Sequence, residues 1–153
     1  MHSVFVHCVN VTRTEIADWV GARGVKGLRE HWYVPNRTDP IFTVRFPHEG
    51  SEYSSPENKM HVLEVVGREP TVHVQLDAGG KHPGHKELRM FLVDLLSEYS
   101  GVALDDLSPH VWTLEDLKND KHVNGFSFAD HESWRKLHGA SHHTPTPPRS
   151  PQR

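Results

Sequence analysis

Hydrophobic positions along the first half of the chain recur at two periods, and the period separates strands from helices. Residues 3–9, Ser-Val-Phe-Val-His-Cys-Val, are short and β-branched and close at Asn10, the signature of a strand. Thr12 or Thr14 is then placed to cap a helix in which Ile16, Trp19 and Val20 share one face, and Gly21, Gly24 and Gly27 end it early. Residues 31–34 and 41–46 are two β-rich runs joined by a loop bounded by Pro35 and Pro40, which predicts a hairpin with the prolines at strand ends. Between 56 and 67, Met60, Leu63 and Val66 fall at helical spacing behind a Ser55-Pro56-Glu57 start. That spacing favours a helix there, although Val62, Val65 and Val66 also suit a strand.

Residues 71–77 alternate most clearly, with Val72, Val74 and Leu76 on one side and His73, Gln75 and Asp77 on the other. The strongest helix is expected over 84–99, where Leu88, Phe91, Leu92, Leu95 and Tyr99 form one stripe and Gly101 is suited to a left-handed cap. Later elements are short. Thr113 and Asp116 have capping-box spacing, and Asp130 is placed to cap a last helix through Trp134 and Leu137 that stops at Gly139. The pattern therefore divides the chain into one α+β domain over 1–138 and a disordered Pro/His/Thr-rich tail over 139–153.

Through residue 77 the order is strand, helix, strand, strand, helix, strand. It predicts a ferredoxin-like (split βαβ, order βαββαβ) antiparallel sheet with two helices on one face, completed by the long amphipathic helix and short helical elements. Alternation then fixes what the opposite face carries. If Val4, Val6, Cys8, Val72, Val74 and Leu76 point at the helices, the second face gathers His7, His31, Tyr33, Arg45, His73, Gln75 and Asp77.

Composition narrows the classes of function. A single Cys8 excludes an intramolecular disulfide and a zinc knuckle, and its place on the core side of a strand argues against a nucleophile. No apolar run reaches the length of a membrane helix, so a soluble cytoplasmic protein without a membrane partner is expected. Lysine and arginine total 17 against 20 aspartates and glutamates, which argues against nucleic acid as a partner. Fourteen histidines make the net charge sensitive to pH near their ordinary titration range.

Candidate chemistry concentrates after the alternating strand. Asp77 is followed by Gly79, Gly80 and Lys81 and by His82 and His85, a set that matches neither glycine-rich phosphate motif. Two histidines with a carboxylate make a metal set, so His82, His85 and Asp77 are the candidate ligands for a divalent metal, and no other cofactor is expected. Asp105, Asp106 and His110 extend the catalytic candidates around Asp77, His82 and His85. The tail adds His138, His142 and His143, suited to adventitious metal affinity. With no recognised catalytic motif, the leading expectation is a small binding protein. It would recognise another protein, as an inhibitor or immunity-type partner does, or a second copy of itself, through the polar, His-containing and acidic face. The alternative is a small-molecule or metal-dependent enzyme built on Asp77, His82 and His85.

Overall fold

The computed structural model of the protein describes residues 2–79 and 84–143, with side chains through 138. Six antiparallel strands form one sheet: β1 (His2–Cys8), β2 (Val25–Lys26), β3 (His31–Val34), β4 (Phe42–Arg45), β5 (Val72–Ala78) and β6 (Gly101–Leu104). Among the described residues five helices accompany them: α1 (Arg13–Gly21), α2 (Pro56–Val66), α3 (His85–Glu98), α4 (Leu114–Lys118) and α5 (His131–His143). No described helix is long and apolar enough to cross a membrane.

Local chemistry starts most of these helices where the pattern predicts. Thr12 caps α1 and Thr113 caps α4, each in a reciprocal capping box with the acidic residue three positions on. Ser55 caps α2 with Pro56 in its first turn, and Gly67 ends it at φ 84°, so residues 56–66 form a helix and not a strand. The Asp130 carboxylate accepts the Ser133 N–H at 3.1 Å at the start of α5. That helix runs through Gly139 to His143 instead of stopping at the glycine. Residues 144–153 lie outside the described residues, as does most of the stretch predicted to be a tail.

The sheet order is β2-β3-β4-β5-β1-β6, which corrects the ferredoxin-like arrangement. In that arrangement β1 would lie between β4 and β5. Here β5 pairs with both, Arg45 opposite Gln75 on one side and His7 opposite His73 on the other. The segment carrying α2 therefore leaves β4 and returns down an adjacent antiparallel strand. No end-to-end crossover is made, so the handedness rule that places both helices on one face does not operate. Helices α1 and α3 cover one face, where Ile16, Val20, Leu88, Leu92 and Leu95 join Val4, Val6, Val74 and Leu76 in the main core. Helix α2 lies on the other face, its Val62 against Val102, Leu104 and Val111.

The long helix is followed by another strand, and Gly101 is part of it. A Cβ at position 101 would sit 2.5 Å from the His7 carbonyl oxygen, so glycine lets β6 approach β1. The α3 C-cap is Tyr99, in extended backbone, and the left-handed cap expected of Gly101 does not form. Because β6 pairs with β1, Phe5 opposite Leu104, the residues just after β6 arrive beside the first residues of β1.

Candidate functional site

The strand registers assemble the second face from its predicted residues. His31 is opposite Arg45, Tyr33 opposite Thr43, Thr43 and Ser3 opposite Asp77, and His7 opposite His73. Cross-strand partners share a face, so His7, His31, Tyr33, Arg45, His73, Gln75 and Asp77 lie together. Cys8 points the other way into the core, and burial pushes its thiol up to about 12, the environment of an inert cysteine.

Asp77 is the hub of the face. Ser3 Oγ donates to its Oδ1 at 2.7 Å, Gln75 Nε2 to the same oxygen at 2.9 Å, and Arg45 Nε to Oδ2 at 3.2 Å. Three donors on three strands satisfy a carboxylate that is only 9% exposed, which burial requires of a charged group. Toward the sheet edge, Tyr33 stacks on His31 with centroids 5.1 Å apart, and both rings remain half-buried.

A second cluster lies nearer α2. His7 and His73 meet through their Nδ1 atoms at 2.8 Å, so one ring donates its N–H to the other's lone pair. Tyr53 stacks on His7 at 4.4 Å and meets His73 edge-on at 5.3 Å. Burial, with a smaller contribution from His73, lowers His7 to about 3; burial also lowers His73. Tyr53 rises to about 12, first from burial and then from Glu69 and Glu52. Both shifts favour the neutral rings, between which the contact is a packed N–H to lone-pair hydrogen bond. Tyr53 carries no helical or strand periodicity in its polar loop, which is why pattern reading passes over it.

The residues proposed from sequence around Asp77 have separate partners. His85 Nδ1 lies 3.6 Å from Asp130, at the start of α5. His110 Nε2 lies 3.0 Å from Asp116, helping to hold α4. His82 is outside the described residues. Asp77 is engaged by Ser3, Gln75 and Arg45; among the described residues the histidine–carboxylate group is His2, Asp106 and His131, whose ligand-type atoms all lie within 4.8 Å of one another.

Three elements bring these side chains together. His2 opens β1, Asp106 follows β6, and His131 opens α5. His2 Nδ1 is 3.6 Å from Asp106 Oδ2, His131 Nε2 contacts Asp106 Oδ1, and the two imidazoles stack at 3.6 Å. His131 donates its Nδ1–H to the Ala129 carbonyl at 2.9 Å, so a hydrogen bond from Nε2 to the Asp106 carboxylate belongs to the doubly protonated, charged ring, whereas loss of the Nε2 proton would free a lone pair for a cation. Ala129 is held at φ 57°, and its N–H donates to buried Asp105 at 2.8 Å. Burial raises Asp105, its backbone hydrogen bonds notwithstanding. Desolvation alone would raise Asp106 too, but the hydrogen bond and charge of His131, with His2, take it below its ordinary value. Asp106 also lines a cavity of about 260 Å³ on the second face, bounded by Ser3, Phe5, His7, Tyr53 and Leu104 among others.

Positions 2, 106 and 131 form no sequence motif, so pattern reading offers neither His2 nor His131 as a candidate. Reading residues 102–104 as a strand would have been the one available signal, since it places Asp105 and Asp106 at a strand end. No protein-family model, curated protein or solved structure matches the chain.

Proposed function

We propose that the protein is a small cytoplasmic binding module that recognises another protein through the β3–β5 part of its second sheet face, in the manner of an inhibitor or immunity-type partner. The observation that carries this reading is the hydrogen-bonded row on that face. Ser3, Arg45, Gln75 and Asp77 are fixed on strands by their own contacts, while Arg45, His31 and Tyr33 stay partly open to solvent. A surface ordered before association loses little side-chain entropy on binding, and arginine and tyrosine are the types that carry interface energy.

The test is capture at pH 7.5 from lysate of the source cells, with the mass of the isolated chain measured alongside. The untagged wild type is expected to retain a stoichiometric partner. A Tyr33→Ala/Arg45→Ala double variant loses it, and Glu98→Gln, on the solvent side of α3, keeps it. Self-association abolished by the same double variant would make the partner a second copy. A monomer with no stoichiometric partner, or equal capture by wild type and double variant, defeats the reading.

A further inference from the structure

We propose that His2, Asp106 and His131 bind a divalent transition-metal ion, zinc foremost, which ties the start of β1 to the loop after β6 and the start of α5. Two imidazoles and a carboxylate match the nitrogen-and-oxygen ligand preference of zinc, and three protein ligands leave a coordination position for water or another ligand. The ligand-type atoms already lie within 4.8 Å of one another. The stacked rings differ by 17° in plane, and His2, with 32% of its side chain exposed, has room to tilt so that both lone pairs converge on one ion.

The surroundings fit a bound cation. His131 has its outer nitrogen committed to the Ala129 carbonyl, the arrangement that orients metal-ligating histidines. Asp105 anchors Ala129 from beneath, so the ligand is held through a short chain of buried bonds. Among the described residues no lysine or arginine pairs with Asp105, Asp106 or Asp130, whose side-chain partners there include the imidazoles of His2, His85 and His131. Asp106 also borders the cavity shared with Phe5 and Tyr53, so the open coordination position has space beside it. Tyr33 and Arg45 take no part, and the site stands or falls apart from the partner-binding reading.

The experiment titrates Zn²⁺ into the tag-free, chelator-treated full chain by calorimetry in competition with a chelator of known affinity. Co²⁺ absorption reports the coordination. One equivalent is expected to bind and to raise the melting temperature. His2→Ala and Asp106→Asn are each expected to weaken it by roughly 10–100-fold or more, since even outer-shell partners of a ligand are worth that much. Both positions are partly exposed, and unchanged far-ultraviolet circular dichroism verifies that both variants fold. A His142→Ala/His143→Ala variant should bind as wild type. Absence of a one-equivalent site, affinity unmoved by His2→Ala and Asp106→Asn, or loss of binding in the His142/His143 variant would overturn the assignment.

Discussion

The two faces of the sheet are built from alternate residues of the same strands, yet they are stabilised by different physics. On the face under α1 and α3, Val4, Val6, Leu76, Leu92 and Leu95 are buried with no polar atom to satisfy, and area removed from water does the stabilising. On the other face His7 is as deeply buried as any of them, at 1% exposed, but its position depends on the His73 lone pair or N–H and on neutrality. Burial alone stabilises the first face. On the second it imposes conditions: Asp77 is met by three donors and His7 by His73, while the buried His31 Nε2 and Tyr53 hydroxyl have no hydrogen-bond partner among the described residues.

Breaking the dry face should have the largest effect. Leu92→Ala removes a fully buried side chain between helix and sheet and is expected to cost roughly 2–5 kcal/mol. The urea midpoint measures it, and a loss under about 1 kcal/mol would mean that α3 is not seated on the core.

Next in size is the acid response of the polar face. With His7 held near 3 in the fold and near 6.5 when unfolded, the unfolded chain takes up a proton between those values and the folded chain does not. Its contribution is complete above the unfolded value and is lost as pH falls toward the folded one, by about 1.4 kcal/mol per pH unit. His73, lowered too, acts in the same direction. His7→Leu should therefore have a shallower fall in melting temperature between pH 7.5 and 5 than wild type. Parallel curves for the two proteins would contradict the buried neutral pair.

Arg45→Ala should do least. It deprives Asp77 of one of three donors, but Arg45 is 31% exposed and its attraction is screened by solvent. About 1 kcal/mol is expected from the urea midpoint, small enough that loss of partner capture in the double variant reports recognition and not unfolding. A much larger loss would make the Asp77 network a structural element and weaken its reading as a recognition surface.

Much of this architecture was legible before any coordinates. Thr12, Ser55, Thr113 and Asp130 announce helix starts because capping is local, and the inward and outward halves of residues 72–77 follow from the two-residue period alone. The composition of the second face came from the same alternation. The expected site did not come with it. Asp77, His82 and His85 are neighbours in sequence, but Asp77 turns to Ser3, Gln75 and Arg45, while His85 turns to Asp130.

What the residues determine locally is thus the helix starts, the strand faces and the inert core position of Cys8. Strand order belongs to the tertiary structure, because pairing is a long-range competition that no local period encodes: β5 took the place between β4 and β1, and Gly101 admitted β6 beside His7. That pairing carries Asp106 from the middle of the chain to His2 at its start, and the Ala129 turn aims His131 at both. Three side chains, two of them more than a hundred residues from the first, become a candidate ligand set only when the sheet brings them together.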